Sequence, residues 1–156
     1  MIVLAIDPGT IMSGYVFVNS DTFKILNSGK VVNSLMLEIV YESTYDKCVI
    51  EMVQYYGKFM NAGQETFETC VWIGRFVEAA KKQLVELASF MYRTTIKAHI
   101  TGLASSKDAQ VRQCLIDRFG GKGTKKQPGF FFGISADMFS AFALATAYID
   151  ETKGYW

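Results

Sequence analysis

The 156-residue chain contains one histidine, two prolines and three cysteines, and each scarcity excludes something. A single histidine without a Cys-x-x-C pair excludes a zinc site of ordinary form. A Cys–His–Asp nucleophilic triad would depend on His99, on which no partner is predicted to converge. Cys48, Cys70 and Cys114 are widely spaced, which predicts reduced core residues of a cytoplasmic protein. Two prolines and 20% charged residues argue against disorder.

Long hydrophobic runs are also missing. Half of the residues are apolar, yet no window reaches the roughly 18 uninterrupted apolar residues of a membrane helix. Asp137, Ser140 and Thr146 interrupt the longest apolar stretch near the end of the sequence. The apolar N-terminal segment lacks a basic region and meets Asp7, unlike a signal peptide. The sequence therefore predicts no membrane span.

Neither sign of charge dominates. The chain carries 16 basic and 15 acidic residues, a net charge of +1, which excludes a strongly basic nucleic-acid coat but allows a local basic patch. No repeat or linker divides the chain, so residues 1–156 are predicted to form one domain.

The pattern of apolar residues predicts an α/β protein. Strands are predicted over residues 2–6, 13–19, 22–31 (with a possible bend at Gly29), 48–50 and 92–100, and helices over residues 33–41, 66–90, 106–119 and 135–151. Asn33 and Ser34, and later Ser105 and Ser106, are candidate helix caps. The stripe expected to face the core on the second helix comprises Phe67, Val71, Gly74, Val77, Leu84 and Ala88. Strands followed by alternating helices and strands indicate a mixed sheet with helices on both faces.

Acidic residues end two of the predicted strands. Asp7 closes the first strand and Glu51 closes the strand after the helical crossover, so parallel neighbours would bring both to the carboxyl edge of the sheet. Asp137 lies in the first turn of the last helix, and Ser140 follows on the same face. Facing carboxylates repel, and hard oxygen ligands without His or Cys suit Mg²⁺ or Mn²⁺.

Each acid also has an ordinary explanation. Asp7 precedes Pro-Gly and could serve turn chemistry alone. Glu51 could be a solvated strand end, and Asp137 could complement the helix dipole. The case for a site depends on all three reaching one edge.

The ordered set of motifs resembles the RuvC-like Holliday-junction resolvases, with the phage-encoded members more similar than the bacterial ones. The resemblance rests on I-D-P-G-T at 6–10, S-G-Y at 13–15, V-I-E at 49–51, T-G at 101–102, K-D-A-Q-V at 107–111 and A-D-x-x-S-A-F-A-L-A at 136–145. The likeness to phage-encoded members comes from F-E-T at 67–69 and W-I-G-R-F at 72–76. Together these motifs span nearly the whole chain.

The resemblance implies an RNase H-like fold, a homodimer and cutting of branched DNA that depends on Mg²⁺ or Mn²⁺. Four carboxylates normally build such a site, with two metals that clamp the scissile phosphate. Asp7, Glu51 and Asp137 carry over as metal ligands, with Asp7 expected to bridge. Ser140 occupies the fourth position without a charge. An inactivating substitution and a natural variant both fit this departure.

The same resemblance directs attention to DNA contacts near the site. Residues 105–126 hold six basic and two acidic residues, and the candidate phosphate contacts are Lys107, Arg112, Lys122, Lys125 and Lys126. Tyr55 and Tyr56 follow Glu51 and could stack on bases at the crossover. A solvated helix face and ordinary packing remain the alternatives.

Three other functions remain open at this stage. An actin-like phosphotransferase also has an Asp-x-Gly-Thr turn before a hairpin, but such proteins need two domains and well over twice this length. A junction-binding protein without catalysis is suggested by Ser140. A packaging-linked branch nuclease would differ only in its range of substrates.

Overall fold

A five-stranded mixed sheet in the order β3-β2-β1-β4-β5 forms the centre of the molecule. The computed structural model describes residues 1–54, 63–82 and 87–155. Its strands are β1 (Ile2–Asp7), β2 (Met12–Asn19), β3 (Ile25–Val32), β4 (Lys47–Met52) and β5 (Ser89–Tyr92). Its helices are α1 (Asn33–Glu42), α2 (Gln64–Ala80), α3 (Arg93–Thr101), α4 (Asp108–Phe119) and α5 (Ala136–Lys153).

The sheet combines an antiparallel meander with a parallel half. β1, β2 and β3 pair antiparallel in sequence, and β4 pairs parallel to both β1 and β5. This confirms the predicted meander and the predicted crossover from the meander through α1 to a parallel neighbour of β1. The register of β2 and β3 shifts between Phe17 and Val18, whereas a bend was expected at Gly29.

Alternating residues of the central strand supply two separate cores. Val3 and Ala5 of β1 pack in one cluster with residues of α3, α4 and α5. Leu4 and Ile6 pack in a second cluster with residues of α1 and α2. Side chains of a strand alternate between its faces, so the apolar run of β1 is buried on both sides. The expected arrangement of helices on both faces is confirmed.

Helix α5 is buried almost all round, as its composition predicts. Every residue from Ala141 to Asp150 is buried, and the helix lies against β1 and β2. A helix with apolar residues on all faces belongs in the interior. Its first turn nevertheless reaches the surface, where the side chain of Asp137 is 43% exposed.

The region after α2 differs from the expectation. A continuous helix was predicted over residues 66–90 and a strand over 92–100, but α2 ends at Ala80, β5 covers Ser89–Tyr92 and α3 begins at Arg93. The β-branched residues that favoured a strand at 94–96 are helical. Pairing of β5 beside β4 completes the sheet, and this tertiary requirement overrides local propensity.

The buried face of α2 also differs from the predicted stripe. Phe67 and Val71 were expected to face inward but are 63% and 62% exposed. The residues of α2 that are buried are Thr69, Ile73, Phe76 and Ala80. The helix carries apolar residues on two faces, and its packing against α1 and β4 selects the second face.

None of the four candidate caps, Asn33, Ser34, Ser105 and Ser106, caps its helix, because α1 is preceded by Val32 and α4 by Lys107 at the cap position. Asn33 begins α1 without capping it, because its side chain contacts Gly9 and Ser13 instead. α4 begins at Asp108 rather than at residue 106, and Gln110 accepts a hydrogen bond from the Lys107 amide at 2.7 Å. A serine side chain can bond elsewhere when the tertiary structure offers a partner: Ser106 lies 2.9 Å from the Thr101 hydroxyl.

The three cysteines are free thiols, as expected. Cys48 is buried on β4, where burial raises the pKa of its thiol to about 12, so it stays protonated. Cys70 and Cys114 are only partly buried. Among the described helices, none has the length and apolar character needed to cross a membrane.

Candidate active site

Two acidic side chains lie at the carboxyl ends of adjacent parallel strands. Ile6 of β1 pairs with Ile50 of β4, and Asp7 and Glu51 are the next residues of these strands. The Glu51 side chain is 14% exposed, and Asp7 is partly buried. The parallel pairing therefore brings both acids to one edge of the sheet, as the sequence predicts.

A buried polar network fixes the turn that follows Asp7. The Ser13 hydroxyl donates a hydrogen bond to Asn33 Oδ1 at 2.6 Å, and Asn33 Nδ2 donates one to the Gly9 carbonyl at 2.8 Å. Ser13 and Asn33 are both buried. Since β2 and α1 both hold the turn, the backbone around Asp7 has little freedom to move.

Close packing against β2 places the first turn of α5 beside the strands. A Cβ atom on Gly14 would lie 2.9 Å from the Asp137 carbonyl oxygen, so only glycine permits this approach. Ser140, one turn later, lies close enough to the Asp7 carboxyl group to lower its pKa slightly. The structure thus brings Asp7, Glu51, Asp137 and Ser140 together.

Burial and repulsion both disfavour the charge on Asp7. Burial, foremost, and the nearby carboxylates of Glu51 and Asp137 raise the pKa of Asp7 to about 7, against the opposing effects of Arg93 and Ser140. Burial also raises the pKa of Glu51, against the opposing effect of Arg93. A carboxyl group with a pKa near neutrality at the edge of a sheet is typical of a functional site.

Two basic residues that the sequence did not single out neutralise the other acids. Arg93 Nη1 lies 3.0 Å from Glu51 Oε2, and Lys30 Nζ lies 3.0 Å from Asp137 Oδ2. The Arg93 pair is largely buried, whereas both partners of the Lys30 pair are 43% exposed. Burial alone would lower the pKa of Arg93, but the neighbouring acids, Glu51 foremost, hold it above its ordinary value.

Arg93 also connects the acids to α4. Its Nη2 atom lies 2.9 Å from Asp108 Oδ1, and Lys97 Nζ lies 3.0 Å from the same oxygen. Arg93 directly follows β5, which ends at the same sheet edge as β4. A basic residue directly after a strand could have indicated this position. Residues 92–100 were predicted as a strand, however, and Arg93 was therefore missed.

The chemical type of the donor atoms at this edge suits a hard divalent cation. These atoms are carboxylate and hydroxyl oxygens without nitrogen or sulfur, which favours Mg²⁺ or Mn²⁺. A cation would also relieve the repulsion at Asp7. Within the described part of the chain, however, no three His, Cys, Asp or Glu side chains are arranged as a metal-binding group. Glu51 and Asp137 point to Arg93 and Lys30, so a cation held by all three acids must displace these contacts.

Two of the predicted phosphate contacts, Arg112 and Lys122, lie near the first turn of α5. Lys107, Lys122, Lys125 and Lys126 are exposed, and Lys122 Nζ lies 5.8 Å from the centre of the Phe139 ring. The Arg112 guanidinium lies 4.7 Å from the centre of the same ring. A backbone bridge between Gly123 and Pro128 shapes the loop that carries Lys125 and Lys126. Tyr55 and Tyr56 lie outside the described residues.

A second acidic cluster, also missed, lies at the other end of α5. Asp150 is 1% exposed and accepts two hydrogen bonds from the Arg118 guanidinium, at 2.5 and 2.8 Å. His99 Nε2 lies 2.8 Å from Asp150 Oδ2. Burial would raise the pKa of Asp150, but Arg118 and His99 together hold it below its ordinary value. The histidine that the sequence left without a partner therefore belongs to a buried ion network.

Solved structures share this fold although no sequence comparison matches. No protein-family model and no curated protein matches the chain. Thermus thermophilus RuvC is similar at a TM-score of 0.70 and 16% identity, over 99% of this chain and 97% of that one. T. thermophilus RuvC in complex with a Holliday junction substrate is similar at a TM-score of 0.72 and 14% identity, over 99% and 96%. The chain therefore has the RNase H-like fold of RuvC, and at this identity the likeness shows the fold alone.

Proposed function

We propose that this chain is a structure-selective endonuclease that binds four-way and other branched DNA and resolves it by paired nicks. The observation that carries the proposal is the buried Asp7 carboxyl group, whose pKa is raised to about 7 where Glu51 and Asp137 converge on it. Such a cluster costs stability and has no packing role, which supports a catalytic one. One of the similar structures contains a Holliday junction substrate, which supports the choice of branched DNA.

The three acids would hold Mg²⁺ or Mn²⁺, and Asp7 lies at the centre of them. When bound, the cation supplies Lewis-acid activation of water and of the scissile phosphate. The Ser140 hydroxyl lies beside the Asp7 carboxyl group and would lie beside the bound cation. Arg93 and Lys30 lie 3.0 Å from carboxylate oxygens of Glu51 and Asp137, respectively, and offset the negative charge of the cluster.

Lys107, which precedes α4, and the exposed lysines of the loop after α4 would bind DNA phosphates. Each phosphate contact adds about 0.9 to the slope of log affinity against log salt, so the Lys125→Ala/Lys126→Ala variant should lower that slope by about 2. The matched control is the double alanine variant of Lys81 and Lys82, which are also adjacent and exposed but follow α2. An equal loss of slope in both variants would contradict the assignment.

A homodimer would give two sites for two symmetric strands. The outward apolar residues Phe67 and Val71 lie one turn apart on α2, and large exposed side chains of this kind favour a protein contact. Light scattering should find a dimer that the Phe67→Ser/Val71→Ser variant dissociates. A monomer in the parent protein would contradict this part of the proposal.

A second candidate is a protein that binds junctions without cutting them. It is favoured by Ser140, which supplies no charge where a fourth acid is expected, and by the neutralisation of Glu51 and Asp137. In that case Arg93 and Lys30 would take over the charge balance that a cation provides.

A nicking assay separates the two functions. Mobile four-way junctions and linear duplexes of the same sequence are incubated with the protein in Mg²⁺, in Mn²⁺ or in a chelator, and binding is measured in parallel. The endonuclease predicts symmetric nicks in the junction that need the cation and are lost in Asp7→Asn. Tight junction binding with no nick in either metal would favour the binding protein.

A further inference from the structure

A cavity of about 320 Å³ lies between α3, α4 and α5. Its apolar walls are formed by Ile96, Val111, Leu115, Ile116, Phe139 and Ala143. This volume falls within the range of about 300–1,000 Å³ that is typical of pockets for small organic ligands. The apolar walls and the phenyl ring of Phe139 suit a flat, weakly polar group.

Basic side chains surround the mouth of this cavity. Arg93, Lys97 and Arg112 line it, with Asp108 as the acidic residue among the lining. Asp108 contacts Arg93 and Lys97, whereas Arg112 lies over Phe139. The excess positive charge beside an apolar interior favours a ligand that joins a flat ring to an anionic group.

The cavity shares residues with the candidate active site. Ser140 lines the cavity and also lies beside Asp7. Arg93 lines the cavity and also contacts Glu51 at 3.0 Å. A DNA strand whose phosphate reaches the acids therefore brings a neighbouring nucleotide to the mouth of the cavity.

We propose that this cavity receives one unstacked nucleobase of the DNA strand at the active site, with the adjoining phosphate beside Arg93 and Arg112. The inference rests on the proposed function and deepens it. Extruding a base from a stack costs a few kcal/mol, and least where the base is already unpaired. Bases at a branch point are closer to that state than bases within a duplex. The cavity would thus contribute to the preference for branched over linear DNA.

The test places a fluorescent base at the branch point. Four-way junctions carry 2-aminopurine, whose emission rises when it leaves the stack, at each crossover position in turn, and a linear duplex carries it at the matching position. The experiment uses the full chain in a chelator, so that no strand is cut. We expect emission to rise severalfold at one crossover position of the bound junction and to stay low in the duplex.

Blocking the mouth should remove that signal. Ala109 lines the cavity from the exposed side of α4, so Ala109→Trp fills the mouth without disturbing the core. We expect it to abolish the rise and to lower the preference for junction over duplex by about tenfold. Asp117→Trp, an equally large side chain at an exposed position of α4 outside the lining, is the matched control and should behave as the parent protein. Ala143→Met, which fills the buried end, should repeat the effect if its melting temperature shows a folded protein.

The outcomes separate this inference from the nuclease itself. A parent protein that nicks junctions but gives no rise at any crossover, or an Ala109→Trp variant that keeps the rise, would overturn the base pocket and leave the nuclease intact. A rise that Ala109→Trp abolishes, in a protein that never nicks, would support the pocket and overturn the nuclease. Binding of free deoxyadenosine monophosphate without any rise in the junction would assign the cavity to small nucleotides and overturn base insertion. A parent protein without preference for junctions would overturn both proposals.

Discussion

Each end of α5 lies beside a group of ionisable side chains, and the two groups shift the pKa of their central aspartate in opposite directions. At the first turn, Asp7 meets other carboxylates and its pKa is raised to about 7. At the last turns, Asp150 is more deeply buried, yet two hydrogen bonds from Arg118 and the contact with His99 hold its pKa below the ordinary value. Burial raises the pKa at both ends, so the partners decide the outcome.

This difference distinguishes the group at Asp150, which stabilises the fold, from the group at Asp7, which is the candidate active site. Arg118 of α4 balances the charge of Asp150, and His99 of α3 contacts the same carboxylate, so the network ties both helices to α5. Among the described residues, no basic side chain forms an ion pair with Asp7, since Arg93 and Lys30 contact the flanking acids. A protein retains such repulsion where a ligand can relieve it.

The largest expected effect is at Asp7. Asp7→Asn should lower junction nicking by at least 10³-fold, or about 4 kcal/mol of barrier, because the central oxygen ligand loses its charge. The same change should raise the free energy of unfolding by about 2 kcal/mol in a chelator, because it removes repulsion. Nicking kinetics and urea unfolding measure the two effects. Asp117→Asn, an exposed acid on α4, is the control, and nicking that survives in Asp7→Asn would refute the site.

The pH dependence of stability should slope in opposite directions for the two clusters. A raised pKa means that folded Asp7 binds a proton that the unfolded chain releases, so stability should fall as pH rises from about 4 to about 7, by at most about 4 kcal/mol. The lowered pKa of Asp150 contributes stability above about pH 4 that is lost as pH falls further. Urea unfolding in a chelator from pH 3 to 8 tests both. An Asp7→Asn variant whose stability keeps the parent's slope between pH 4 and 7 would contradict the first assignment.

At the other end of the helix, removal of the acid should destabilise the protein. Asp150→Ala leaves Arg118 and His99 without their shared partner and should cost about 3 kcal/mol. Asp150→Asn, which keeps the shape and part of the hydrogen bonding, should cost less. Denaturant midpoints at constant m-value measure the difference. Equal costs for the two variants would mean that packing, and not the ion network, is what Asp150 contributes.

Ser140→Asp should increase the repulsion among carboxylates at the first turn of α5 and so enlarge its difference from the end that holds Asp150. A fourth carboxylate adds repulsion, so stability in a chelator should drop, while Mn²⁺ should restore it by binding the folded form. Nicking should rise by at least tenfold, equivalent to about 1.4 kcal/mol of barrier. Ser140→Asn, similar in size but uncharged, is the control. A variant with neither gain would show that Ser140 faces away from the bound cation.

The sequence anticipated the parts of the fold that follow from local patterns. The strands of the meander alternate around turn residues, and α5 is apolar on every side, so both were predicted near their true bounds. α3 was missed because Thr94, Thr95 and Ile96 favour a strand locally, while the tertiary structure ends the strand at Tyr92.

For the candidate site, too, local sequence patterns predicted the acidic residues but not their basic partners. Asp7, Glu51 and Asp137 interrupt apolar stretches at the ends of helices or strands, and they could therefore be recognised as candidates from the sequence. Their basic partners depend on distant pairing: Lys30 reaches Asp137 from β3, and Arg93 reaches Glu51 from the end of β5. Such contacts need the register of the sheet, which no local pattern contains.

The position of β1 in the sheet has a consequence for local opening. β1 has a strand on each side and buried residues on both faces, whereas β3 and β5 are edge strands. Amide protons of β1 should exchange with solvent only when the whole domain unfolds, and those of the edges through smaller fluctuations. Asp7 is thus anchored in the part of the protein that opens last, while Lys30 and Arg93 reach the flanking acids Asp137 and Glu51 from β3 and from the end of β5, edges that can fray first.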